Sequence, residues 1–425
     1  MFETVLNGQL LEHFNDIFHV LLSAFRKGYS CQTILLKFVE DIKAALETKQ
    51  LAGAVFMDLS KAFDCLPHGL LISKLHAYGL SIHACKLVGS YLSGRKQRVK
   101  IREVKSDWSF LKKGVPQGSI LGPLLFNIFI NDMFYFIEKS VLYNFADDNS
   151  LLNIAPSLEK LLSNLQHDSK ICLKWYSENG MAANPSKFQF MISSSSNIGE
   201  VELQINESVV IKSELFVKAL GVYIDCKLTF TEHVKRTCIK AARQLNALSR
   251  ISKYLSVNSK KQIFRSFVLS NFTYCSIVWH FCGSTNNSKL EKIQERALKI
   301  VYDDYEADYH DLIAKFGTDT MLQSRLKKMI LEVFKSLKEI NPVYIRNILK
   351  QKHQPYNLRN PVLLIQSKMN TTNSGLRSFA YLSSKLWNDL PAHFKDIENI
   401  DVNLFKSLLK EWSAPDCDAS VNPLL

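Results

Sequence analysis

Two adjacent carboxylates, Asp147 and Asp148, interrupt the apolar stretch "YNFADDNSLL" between Tyr143 and Leu152. Neighbouring acids repel each other, and neither leaves water readily. A polar turn between two short strands accounts for them, because Asp and Asn are ordinary turn residues. Taken alone the pair favours that plain reading; a divalent cation, which would offset the repulsion, is the sharper one. The deciding feature is a third acid. Asp58 ends "AGAVFMDLS", which reads as a short buried strand. If its strand neighbours the strands flanking the Asp-Asp turn, three carboxylates converge on one spot. Two-metal phosphoryl transfer needs that arrangement: two cations about 3.5–4 Å apart clamp the attacking and leaving oxygens. Asp58 and Asp147 would bridge the metals and Asp148 would support the site. Oxygen ligands suit Mg²⁺, which also binds substrate phosphates.

The elements that must hold these residues follow from periodicity. Residues 1–50 read as helical, with apolar residues at helical spacing in "QTILLKFVEDIKAALETKQ". "HGLLISKLHAYGL" and "SIHACKLVGSYLSG" are two further helical stretches. "RKQRVKIREVKSDWSFLKKGV" alternates basic and apolar residues, as an exposed hairpin does. "GVPQGSILGPLLFNIFINDM" is a Gly/Pro-rich turn feeding a helix. "SLEKLLSNLQHDSKICLKWYSENGM" is an amphipathic helix closed by Asn179 and Gly180. "KFQFMIS" reads as a strand, "VELQINESVVIKSE" as a hairpin and "VKALGVYID" as one more strand. Beyond about residue 228, Lys- and Arg-rich helices dominate. The chain therefore reads as an α+β domain followed by a helical one.

Bulk properties narrow the function. The 425 residues suffice for two or three domains, and 47% hydrophobic with 22% charged residues marks a globular chain. A net charge of +13 suits a polyanionic partner such as nucleic acid. Nine cysteines without framework spacing fit a reducing compartment. Cys275, His280 and Cys282 lack the second ligand pair of a zinc site and read as buried core. The N-terminus lacks a signal peptide's basic start and apolar core. The longest apolar run, from Ile120, contains Pro123, Asn127, Asn131 and Asp132 and reads as a core helix, not a membrane span. The expected location is intracellular, in nucleus or cytoplasm.

"VFMDLSKAFD", "GVPQGSILGPLLFNIFIND", "FADD", "NPSKFQFMI" and "LGVYID" occur in that order. Together they resemble motifs A to E of the reverse transcriptases of non-LTR (LINE-type) retrotransposons, close to the jockey-like and CR1-like groups. The resemblance is strong over roughly residues 20–228. It implies a right-hand polymerase: partial fingers at 1–50, a palm at 51–228, a helical thumb at 229–350 and a C-terminal loop and helical tail at 351–425. It also implies an RNA template, a DNA primer, deoxynucleoside triphosphates and two Mg²⁺ ions, with Mn²⁺ as a substitute. Carried over by motif, Asp58, Asp147 and Asp148 are the catalytic metal ligands. Phe63 takes the position that excludes a ribose 2′-OH; a core phenylalanine is the plainer reading. Gln117 would lie under the templating pair, and Gly114 and Gly118 would permit close backbone approach to nucleic acid, or merely form a helix-entry turn. Lys187 would approach the leaving pyrophosphate, or simply be solvated. Gly221 and Tyr223 sit where the family grips the primer end. Arg26, Arg95, Lys96, Arg98, Lys235 and Arg236 are candidate nucleic-acid contacts, although most charge runs are solvated faces.

Relative to full-length elements, the chain is expected to lack the endonuclease domain and the stretch containing "RPIS" that holds the incoming triphosphate. A catalytically inactive nucleic-acid-binding remnant is therefore one alternative. A metal-dependent phosphodiesterase is a second, opposed by the "PQG" turn and by Phe63. An intron maturase is a third.

Overall fold

The apolar run Leu51–Met57 forms strand β1, buried beyond its first residue. Strands β2 (Val141–Phe145), β3 (Asp148–Ala155) and β4 (Gln189–Ser193) join it in one sheet, in the order β4-β1-β3-β2. An inner strand covered on both faces needs a continuous apolar run rather than alternation, which is what β1 supplies. β2 and β3 pair antiparallel, with Val141 opposite Leu152 and Phe145 opposite Asp148. Gly53 admits the helix Leu158–Glu178: a Cβ there would lie 2.8 Å from Leu165 Cδ1.

In this computed structural model, residues 1–352, 362–366 and 368–414 are described. They fall into two compact units. The first holds residues 1–29, 52–192 and 198–214; the second holds 30–51, 193–197 and the chain from 215. The N-terminal segment expected as fingers is thus shared: the helix Phe2–Phe14 belongs to the first unit and Cys31–Glu47 to the second.

The run after Ile120 is the helix Leu121–Ile130, buried on all sides. Its polar residues serve the backbone. Asn127 donates to the Ala24 carbonyl at 2.7 Å and Asn131 to the Ile17 carbonyl at 3.3 Å. Asp132 pairs with Lys74 at 2.7 Å, and Lys74 also donates to the Phe129 carbonyl at the helix end. Among the described residues, no helix is long and apolar enough to cross a membrane.

In the second unit, helices Thr231–Ile251, Ser284–Tyr302 and Met321–Leu337 carry the expected helical character. Cys275, His280 and Cys282 are buried, as expected of core residues. One element departs from expectation. "VKALGVYID" is not a single strand but a hairpin, Phe216–Ala219 against Val222–Asp225. Leu220 and Gly221 both take positive φ, 44° and 82°, which a two-residue turn between twisted strands requires. Apolar residues on both sides hid that turn. The expected loop-like tail falls partly outside the described residues, at 353–361, 367 and 415–425. Its described remainder includes helices Phe379–Asp389 and Val402–Glu411.

Candidate active site and nucleic-acid surfaces

The sheet order makes the carboxylates neighbours. Asp58 follows the last residue of β1, and Asp148 opens β3, the adjoining strand. Asp147 lies in the two-residue turn between β2 and β3, because Phe145 pairs with Asp148. Ala146, the other turn residue, has φ 56°. A non-glycine residue costs about 1 kcal/mol or more in that conformation. Two buried asparagines hold it there. Asn144 Nδ2 donates to the Ala146 carbonyl (2.7 Å) and to Asn149 Oδ1 (2.9 Å), and Asn149 Nδ2 donates to the Asp147 carbonyl (3.3 Å). This clamp escaped the sequence reading; its one signal was the pair of asparagines flanking "FADD". The segment before Ala24 lies along the outer edge of β2, with Ser23 N–H on the Asn144 carbonyl and Asn144 N–H on the Leu21 carbonyl.

Burial, then the charges of Asp147 and Asp58, push the Asp148 carboxyl up to about 6. By surface area Asp148 is exposed. Water reaches the carboxyl although protein atoms crowd it. The set is oxygen-only and over-supplied with negative charge, which fits a hard divalent cation. As they stand, however, no three His, Cys, Asp or Glu side chains among the described residues are grouped closely enough to enclose a metal. Lys187 Nζ lies 3.1 Å from Asp58 Oδ2. The loop carrying it is fixed to the same spot: Asn184 N–H donates to the Asp58 carbonyl, and Leu59 pairs with Ala183.

Phe63 lies in the short helix Ala62–Cys65, entered through Lys61 at φ 50°. Half-buried, it stacks on Phe126 at 4.3 Å and meets Phe25 edge-on at 6.0 Å. Gln117 is exposed, and its Nε2 donates to Asp64 Oδ1 at 2.9 Å, a partnership the sequence did not disclose. The two turns are pressed together backbone to backbone. Gly114 N–H donates to the Leu66 carbonyl and Val115 N–H to the Phe63 carbonyl. A Cβ at Gly114 would lie 2.8 Å from the Asp64 carbonyl oxygen. Gly118, at φ 79°, faces open space.

Other candidates scatter. Arg26 is not a free cation: its guanidinium donates to the His19 and Leu22 carbonyls and stacks at 4.2 Å on Tyr29. Nη1 is thus engaged by the carbonyls of its own turn, and the guanidinium's remaining N–H donors are those a nucleic-acid contact would use. Arg95 reaches the Gly114 carbonyl at 3.3 Å, which makes it an anchor of the "PQG" turn. Lys96 and Arg98 stand exposed on the hairpin beyond it.

In the second unit, Gly221, Tyr223 and Arg236 line one cavity of about 740 Å³ together with Lys218, Lys240 and Arg243. Arg236 lies 4.4 Å over the Tyr223 ring and donates to Glu232. His233, held neutral by burial at about 4, accepts the Tyr223 N–H through Nδ1. Tyr274 packs against Gly221 and donates to the Leu220 carbonyl. Lys235 does not line this cavity; it is exposed on the same helix.

One α+β unit thus brings Asp58, Asp147 and Asp148 to the ends of adjoining strands, beside the Phe63 turn and the "PQG" turn. The profile of the reverse transcriptase (RNA-dependent DNA polymerase) family matches residues 1–258, and the chain belongs to that family. It is similar to a probable RNA-directed DNA polymerase from transposon BS of Drosophila melanogaster, 27% identical over 66% of this chain and 32% of that protein. It is also similar to the RNA-directed DNA polymerase from mobile element jockey of Drosophila funebris, 28% identical over 65% of this chain and 31% of that protein. The chain thus spans about a third of the length of these curated relatives. Among solved structures, apo telomerase from Candida tropicalis is similar at a TM-score of 0.42 and 13% identity, over 80% of this chain and 55% of that one.

Proposed function

We infer that this chain is an RNA-directed DNA polymerase of a non-LTR retrotransposon, joining deoxynucleotides to a primer 3′-OH on an RNA template. One observation carries the reading: the sheet order sets Asp58 beside Asp147 and Asp148, and their mutual charge helps hold the Asp148 proton to about 6. Asp58, Asp147 and Asp148 would hold two Mg²⁺ ions, which when bound neutralise charge on the attacking and leaving oxygens. The chain's own residues supply position. Phe63, braced by Phe126 and Phe25, offers a rigid ring edge that a 2′-OH would strike. Gln117 is fixed by Asp64. The amide nitrogen of Gln117 is the end that Asp64 engages. Lys187 is within reach of the metal-binding end of Asp58, where a phosphate leaving group would need a cation. The basic, tyrosine-lined cavity around Gly221 and Tyr223 suits a primer backbone.

The test is primer extension on poly(rA)/oligo(dT) with Mg²⁺ and dTTP. The parent chain should extend the primer. Asp147→Asn/Asp148→Asn should lower the rate by at least about a hundredfold, the scale on which single electrostatic groups act in such sites. A folded parent that binds the duplex without extending it would show a binding protein instead.

A further inference from the structure

Residues 95–111 form an arm of the first unit that makes little sense without a partner. Lys96–Gln97 pairs with Ser109–Phe110, and Lys100–Ile101 pairs with Val104–Lys105 across a two-residue turn. Every residue from 96 to 110 is exposed, on both faces of the ribbon. A two-stranded ribbon with no covered face is marginally stable. Yet it spends five large apolar side chains on water: Val99, Ile101, Val104, Trp108 and Phe110, each more than half exposed. Solvated lysines that guard a sheet edge explain the charge but not the rings.

The charge is one-sided. Residues 95–113 carry eight Lys and Arg against Glu103 and Asp107. Cations and rings are interleaved: Lys96 lies 4.5 Å over Phe110, and Arg98 lies 4.4 Å over Trp108. Each contact covers part of a ring and leaves the rest in water. Phosphate-binding cations beside open aromatic surface make a platform for unpaired nucleotides, whose bases are free to stack. A duplex offers the same phosphates but not the base faces. The arm is rooted in the active unit, since Leu111 N–H donates to the Arg95 carbonyl and Arg95 reaches the Gly114 carbonyl of the "PQG" turn.

We propose that the 95–111 arm grips single-stranded RNA, stacking bases on Trp108 and Phe110 while Lys96 and Arg98 hold the flanking phosphates. Taking that strand as the unpaired template rests on the polymerase reading; strand binding itself does not.

The test measures binding of a fluorescent 20-nucleotide poly(U) strand and of a duplex RNA to the full chain, without Mg²⁺ or nucleotides. Trp108→Ala/Phe110→Ala should weaken single-strand binding at least about tenfold, given the usual worth of base–aromatic stacks, and change duplex binding little. Lys96→Gln/Arg98→Gln should flatten the slope of log affinity against log salt by about 1.4, two phosphates at about 0.7 each. All four positions are exposed, so both variants should melt as the parent does. The proposal fails if the aromatic variant binds the single strand within twofold of the parent, or loses duplex affinity equally. It also fails if the variants alter only self-association or binding to anionic phosphatidylserine vesicles. Primer extension by the parent separates the two readings: extension with an unaffected aromatic variant overturns the arm alone. A parent that binds neither RNA overturns both.

Discussion

Asp148 shows how one side chain's environment becomes a measurable property. Burial first, then Asp147 and Asp58, raise its carboxyl from 3.8 to about 6. An acid raised in this way holds its proton more tightly in the fold than in the unfolded chain. Its ionised form therefore opposes folding, and stability should fall as pH rises from about 4 through about 6. Scanning calorimetry of the metal-free protein between pH 4 and 7 should show this loss. Asp148→Asn should flatten the slope and melt higher than the parent at pH 7, and Mg²⁺ should raise the parent's melting temperature more than the variant's. Equal slopes in both proteins would refute the charge cluster. The acidic triplet was legible in the sequence because acids are rare in apolar strands. The Lys187 contact with Asp58 was not, since 129 residues separate the two. The bonds from Arg26 to the His19 and Leu22 carbonyls were equally hidden, because nothing in residue type marks a cation that braces its own turn.

At the level of the element, the hairpin that carries Asp147 depends on its asparagine clamp. Asn149→Ala should remove the acceptor for Asn144 and the donor to the Asp147 carbonyl at once. The expected cost is about 1–3 kcal/mol in urea unfolding, because a buried amide loses its partner. Extension activity should fall further than stability alone explains, as the turn loses its fixed geometry. Asn149→Asp keeps the acceptor but loses the donor and buries another acid beside Asp147 and Asp148, so at neutral pH it should cost more than Asn149→Ala. Strand identity here was readable from apolar runs and turn residues. The hairpin around Leu220 and Gly221 was not, because an apolar leucine filled a position that demands positive φ. Sequence periodicity reports which side chains want burial. It reports a reversal of direction only when the turn residues are polar or paired with obvious breakers.

At the scale of the molecule, each unit draws together segments far apart in sequence. In the second unit, Glu40 accepts from the N–H groups of Phe379 and Ala380, while Lys43 donates to the Arg377 carbonyl and lies 3.5 Å from Glu40. Glu40→Ala should strip Lys43 of its buried counter-charge and leave the Phe379 and Ala380 N–H groups of the helix Phe379–Asp389 without their acceptor, while the Ser378 cap remains. A loss of about 3–5 kcal/mol in chemical denaturation is expected, against a far smaller change for an exposed glutamate such as Glu207. Limited proteolysis should then cut the chain near the start of that helix. By itself the sequence determined the local chemistry: three acids at strand ends, an apolar inner strand, a basic hairpin and helices beyond residue 228. These follow from residue type and short-range spacing, which the backbone's fixed periods translate directly into faces and turns. Only the tertiary structure decided that β1 lies beside β3, that Gln117 rests on Asp64, and that residues 30–51 join the C-terminal half of the chain. Those pairings are set by which buried surfaces and unpaired polar groups satisfy one another across the folded chain, and no local spacing encodes that.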